Sequence, residues 1–274
     1  MATLVLYCFL YAGGIAFLAG CVVRAVRYAK EPIHLRWEIY PVPHGRSGEL
    51  KIMVPEILFL KGLWEFNRPM WLVSYPFHLG LYLIIITLAG VVIVPGGGDE
   101  FLHRAALITG NAGLVLVLAG ATGLLVRRLT NRELRIYSSG ADIFNLLFFL
   151  LTAVLLLAGY WLRPAGTPGP LAVLRGVLAW DGALRPSGLL TAGLVSGAAL
   201  AAYIPMTHMA HFIAKYFTYH SVRWDERSAE GSIARRMAEY LTYRPTWAAK
   251  HVSADGQRTW AEIATTNPAR GGSK

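Results

Sequence analysis

The chain has little charge and almost no cysteine. Of its 274 residues only 15% are charged and just 16 are acidic, against 55% hydrophobic, and mean hydropathy is +0.44. A soluble domain carries about 25% charged residues, so an ordinary water-soluble enzyme is excluded and an integral membrane protein is indicated. The two cysteines, Cys8 and Cys21, share the first apolar run, and neither C-x-x-C nor C-x-x-C-H occurs. Iron–sulfur ligation and covalent haem attachment within this chain are thereby excluded. There is no nucleotide-binding or catalytic-metal motif, and no internal repeat of the transporter kind. The stretch "LAGC" at 18–21 looks like a lipobox, but the basic n-region that should precede it is missing, since Arg24 and Arg27 follow the run.

Apolar runs of about 20 residues, enough to cross a hydrocarbon core about 30 Å thick, recur five times. They lie near 3–23, 72–95, 105–126, 142–162 and 188–212. Lys and Arg stay on the cytoplasmic side of short loops. Of the 26 here, 22 fall in 24–71, 127–141 and the tail from 213, while Arg104, Arg163, Arg175 and Arg185 fall on the other side. The fold class expected is therefore an all-α integral membrane protein of five transmembrane helices, N-terminus outside and C-terminus cytoplasmic. The net charge of +10 reflects this topology and calls for no nucleic-acid partner.

Two regions are expected: a membrane domain over 1–224, with a cytoplasmic segment 30–70 between spans one and two, and a cytoplasmic tail over 225–274. Residues 49–66 have apolar positions at helical spacing and suit the lipid bilayer surface or a partner. The outer segments, 96–104 and the Pro/Gly-rich 163–187, read as loops without a recognisable site. A short basic helix is expected near 228–242. Gly193 and Gly197 form a G-x-x-x-G pair, which predicts a close helix contact.

Ionisable residues at membrane depth are costly and mark candidate sites. Three histidines qualify: His78 in "YPFHLGLY", and His208 and His211 in "MTHMAHFIAKYFTYH". All three sit within roughly 10 Å of the inner interface by helical rise. Two imidazoles facing each other across a bundle at matched depth suit bis-histidine haem b ligation. A structural reading, with these rings hydrogen-bonded in the core or reaching interfacial water, stands beside it. His103 falls in the outer loop, and His34, His44, His220 and His251 in cytoplasmic segments, where solvated side chains are the simpler expectation.

"GLLVRRLTNRELRIYSSGADIFNLLFFLL", 123–151, resembles the loop between spans three and four of the gamma subunit of respiratory nitrate reductase, a five-span cytochrome b. In both, an RR turn leads to T/S-x-G-A-D, here Ser138 to Asp142, at the start of span four. "FHLGLY" at 77–82 resembles the family's haem-binding F-H-x-G segment. "THMAHFIAKYFTYHSVRW", 207–224, is more similar to the DsrM-like and heterodisulfide-reductase-associated membrane cytochromes. The resemblance implies a bacterial or archaeal cytoplasmic-membrane subunit carrying haem b, with quinone as substrate and a cytoplasmic iron–sulfur or heterodisulfide-reductase-like redox subunit as partner. It implies His78 as one axial ligand of the haem iron and His211 as the other, with His208 the rival on the same helical face just beyond Pro205. Arg68, Arg127, Arg128 and Lys215 are candidate propionate partners, alongside their plainer reading as positive-inside anchors. The family's second haem would take ligands at places that fall here on Leu88 and Gly193, so one haem is implied. A haem-free anchor or scaffold, or a transporter, remains the alternative.

Overall fold

The computed structural model describes residues 2–30, 43, 45–96, 98, 100–224, 232–246 and 256–265, with the side chains of 221–223 and 232–235 left aside. His34, His44 and His251 lie outside them. Every regular element among the described residues is a helix. Five are long and apolar enough to cross a membrane: α1 (Ala2–Lys30), α4 (Arg68–Ile93), α5 (Glu100–Thr130), α7 (Gly140–Trp161) and the stretch Gly188–Met206, whose α-helical part is α9 (Gly188–Tyr203). The 22 residues of α7 reach about 33 Å, sufficient for the hydrocarbon core. The architecture is that of a multi-pass membrane protein.

Between them lie α2 (Gly45–Leu58), α3 (Lys61–Phe66), α6 (Arg132–Ile136), α8 (Pro170–Ala179) and α10 (His211–Phe217), followed by α11 (Ser232–Thr242) and α12 (Trp260–Thr265). Two compact units emerge: Met1–Glu31 with His44–Ala214, and Pro32–Pro43 with Lys215–Lys274. In the second, α12 is tied to the chain after α11 by the Trp260 N–H donating to the Tyr243 carbonyl at 2.9 Å.

Packing in the first unit depends on small residues, because in lipid close backbone approach replaces hydrophobic burial as the force between helices. The most intimate pair is α4 with α5. A Cβ placed on Gly80 would lie 2.6 Å from the Gly113 carbonyl oxygen, and one on Gly120 would lie 2.5 Å from the Phe77 nitrogen. Gly193 presses on α7, with its Cβ position 2.9 Å from the Leu156 nitrogen, whereas Gly197 has only an ordinary contact with Thr152 at 3.8 Å. The G-x-x-x-G expectation thus holds for one glycine of the pair. Thr152 and Ser196 add a hydrogen bond of 2.6 Å between α7 and α9.

The helical spacing read over 49–66 is realised as two helices, α2 and α3. Leu60 takes a left-handed backbone (φ 51°, ψ 49°) between α2 and α3. That turn is pinned to α4, where the Trp71 indole N–H donates to the Phe59 carbonyl at 2.7 Å and the Tyr82 hydroxyl to the Ile57 carbonyl at 2.6 Å. Likewise 163–187 is not all loop. α8 starts on Pro170 behind Gly169, a favourable N-terminal arrangement, and ends at Trp180 in a left-handed conformation. It buries Leu171, Val173 and Val177.

The largest departure concerns span five, expected as continuous over 188–212. The α-helix ends at Tyr203, then Ile204–Met206 and His208–Ala210 form 3₁₀ turns, and α-helix resumes at His211. Pro205 has no N–H to continue the ladder and its ring clashes with the carbonyl of the turn before. The free Pro205 carbonyl accepts from Arg24 Nε at 2.9 Å, and Gly20 leaves the room for the proline ring. Irregular backbone at membrane depth is tolerated only where its polar groups are met in this way.

Candidate cofactor site

The end of the bundle carrying Arg24, Arg127 and Arg128, here termed the basic end, also carries the three membrane-depth histidines. His78 lies in α4, two residues after Pro76, whose missing N–H loosens that turn. Its Nδ1 stands 2.7 Å from the Ser74 carbonyl. A carbonyl only accepts, so Nδ1 carries the proton and Nε2 keeps its lone pair. Phe77, against Phe149 with ring centres 5.0 Å apart, fixes the neighbouring turn within the main apolar cluster.

His211, the first residue of α10, faces His78: the ring centres are 6.0 Å apart, with planes at 72°. Two imidazoles bound to one iron have ring centres about 6 Å apart, from a metal–nitrogen bond of about 2 Å and about 1 Å more to each ring centre. The ring spacing, and an Nδ1–H on His78 that leaves its Nε2 a lone pair, are what two imidazoles would need to hold one iron.

His208 is engaged elsewhere. Its Nε2 lies 3.1 Å from Asp142 Oδ1, while Asp142 Oδ2 accepts from the Ser139 backbone N–H and hydroxyl, each at 2.8 Å. Asp142 therefore caps α7 and holds the broken segment with one carboxylate. His208 and His211 do not sit on one continuous α-helix: His208 opens a 3₁₀ turn and His211 the α-helix that follows. Thr207 stabilises that turn by donating to the Ile204 carbonyl at 3.1 Å and accepting from the Met209 N–H at 3.2 Å. Between the two histidines, Met209 packs on the main cluster and Ala210 is buried.

The expected basic partners are placed as follows. Arg68 is exposed and lies over the Trp64 ring at 4.8 Å. Arg128 donates to the Ser138 hydroxyl at 2.8 Å, joining α5 to the turn before α7. Arg127 has a buried Nε with no hydrogen-bond partner among the described residues, the only one of these arginines so placed. In the second unit, Lys215 stands 5.3 Å from the Tyr219 ring centre, and His220 stacks on Tyr216 at 4.0 Å with Nδ1 donating to the Tyr216 carbonyl at 2.9 Å. His103 is not in a loop but in the first turn of α5, where its Nδ1 accepts from Arg175 at 3.2 Å. No group of three His, Cys, Asp or Glu suited to a metal ion forms among the described residues.

Two groups at this end escaped the sequence reading. Arg24 read only as a topology charge, although a basic residue at membrane depth facing a proline-broken helix was its signal. Asn145 is concealed in the apolar run "IFNLLFF", yet it is only 4% exposed and neither amide atom has a hydrogen-bond partner among the described residues.

These features define a five-span helical membrane protein with two opposed histidines at one end. Residues 64–181 match the model of the nitrate reductase gamma subunit family, so this stretch, somewhat under half the chain, is similar to those subunits. It contains His78, Asp142 and Asn145 but stops before His208 and His211. No curated protein matches the chain.

Proposed function

We propose that the chain is the haem b-carrying subunit of a respiratory redox complex in a bacterial or archaeal cytoplasmic membrane. It passes electrons between membrane quinone and a cytoplasmic iron–sulfur partner of the heterodisulfide-reductase-associated kind, and the basic end faces the cytoplasm. The observation that carries this reading is the His78–His211 pair, 6.0 Å between ring centres, with the His78 tautomer set by the Ser74 carbonyl. When bound, a single haem supplies one-electron redox chemistry. His78 and His211 hold its iron, Ser74 orients the His78 ring, and Arg127, whose buried Nε lacks a partner, is favoured over Arg68 and Arg128 as the propionate partner. The membrane domain extends to about residue 224, and the tail provides the docking region.

An absorption spectrum of protein produced under haem-replete conditions tests the reading. A reduced b-type α-band at one haem per chain, lost in His78→Ala and in His211→Ala but kept in His208→Ala, is the expected result. Protein devoid of haem overturns it in favour of a haem-free anchor. Two haems per chain overturn the single-site assignment.

A further inference from the structure

We propose that the turn at residues 57–60, between α2 and α3, is a displaceable strap across the face of α4 that carries His78, and that it gates entry of the group held by the histidine pair. The gating half rests on the reading just given; the strap itself does not.

Two hydrogen bonds place the turn. The Trp71 indole N–H donates to the Phe59 carbonyl at 2.7 Å, and the Tyr82 hydroxyl to the Ile57 carbonyl at 2.6 Å. The two donors start about 16 Å apart along the α4 axis, from the helical rise between positions 71 and 82. Their acceptors are two residues apart, a span of at most about 7 Å. Both side chains therefore lean towards each other, and the turn lies over the stretch of α4 between them. The Phe59 ring agrees, standing 6.5 Å from the Tyr75 ring and nearly parallel to it. Trp71, Tyr75, His78 and Tyr82 recur at i, i+4, i+7 and i+11, which sets all four on one stripe of the helix. Half-buried His78 thus sits on the strapped stripe, between the two anchors.

The strap is fastened by these bonds and by rings, not by a buried apolar face. Ile57, Leu58 and Phe59 remain 41%, 44% and 54% exposed. Hinges stand at both ends of the six-residue α3: Leu60 is left-handed at φ 51°, a strained choice for a residue with a Cβ, and Asn67 leaves helical geometry at φ −151°, ψ 69°. The Gly62 N–H donates to Glu56 Oε2 at 2.9 Å, so the turn and α3 form one piece. Trp64 of that piece rests edge-on against Trp71 at 4.8 Å, which holds it down when closed. Closed, the strap lies between lipid and the His78 stripe. Released at Trp71 and Tyr82, it opens a lateral route to the imidazole pair.

The test uses the full chain in lipid nanodiscs. In protein produced without haem supply, reaction of the His78 Nε2 lone pair with diethyl pyrocarbonate is followed by mass spectrometry. In haem-loaded protein, escape of haem to excess apomyoglobin is followed by absorption. Trp71→Phe and Tyr82→Phe each remove one anchor. The double variant should raise His78 modification at least fivefold, raise hydrogen exchange in 57–62 and speed haem escape severalfold, with modification of His103 at the opposite end unchanged. Each single variant should give a smaller rise in the same direction. An unchanged His78 rate in the double variant overturns the strap, and a raised His78 rate with unchanged haem escape overturns its role as a gate. Should the double variant not fold, Tyr82→Phe, which deletes one oxygen, decides by the same rates. Protein that takes up no haem sinks the reading above and the gating with it, and the His78 rate then decides the strap alone.

Discussion

The two ends of the bundle are built from similar residues but use their polar groups differently. At the end opposite the basic one, hydroxyls and carbonyls close on one another across elements. Tyr7 is wholly buried and donates to the Asp181 carbonyl at 2.9 Å, Thr3 donates to the Leu184 carbonyl at 2.7 Å, and Thr87 and Thr109 share a bond of 2.7 Å. Tyr11 stacks on Trp180 at 5.4 Å, which fastens α1 to the end of α8. At the basic end, polar groups converge without closing. Among the described residues His78 hydrogen-bonds only through Nδ1, neither amide atom of Asn145 is met, Arg127 keeps a buried Nε unpaired, and the backbone of span five is broken beside them. A membrane interior makes each unmet group costly. Asn111 Oδ1 also lacks a partner among the described residues nearer the other end, so what sets the basic end apart is the opposed histidine pair beside a broken span.

The contrast can be broken in order of expected effect. His78→Ala should abolish b-type absorbance, whereas His103→Ala at the opposite end should leave it unchanged; equal losses in both would erase the distinction. Gly80→Leu should prevent stable folding, costing about 3 kcal/mol or more, because its side chain would enter the α5 backbone. Gly197→Ala, at an ordinary 3.8 Å contact, should be tolerated within about 0.5 kcal/mol in the same detergent unfolding assay. Arg24→Met should destabilise by about 1–3 kcal/mol, since it leaves the Pro205 carbonyl unmet, and should raise hydrogen exchange in 204–211 above that in α8. Tyr7→Phe should cost about 1 kcal/mol in thermal unfolding and leave any cofactor spectrum untouched, as befits the closed end.

The spans were readable because composition and length suffice to recognise them: low charge, long apolar runs and the segregation of Lys and Arg. His78 and His211 were also readable, as imidazoles at membrane depth. What could not be read depends on distant partners. The Pro205 signal was present, but that span five breaks into 3₁₀ turns is decided by Arg24 from α1 and by Asp142 from α7, neither adjacent in sequence. His208 could only be ranked behind His211 as a rival, because its contact with Asp142 comes from another span. α8 was missed because Pro and Gly on either side of ten residues resemble loop punctuation, and its buried face exists only against the rest of the bundle. Asn145 escaped since one amide barely dents the hydropathy of its run, and burial without partners is visible only in three dimensions.

Asp142 connects the start of α7 to the segment after α9, using one oxygen for each. His78 and His211 are likewise divided by three membrane crossings, α5, α7 and α9, which must be inserted between them. During synthesis the first half of the site therefore waits in the bilayer as an unfinished surface. It closes only when the last span arrives and its broken end is clasped by Arg24 and Asp142. Closure of the His78–His211 pair is thus a late event of assembly, set by the last span and not by a local nucleus.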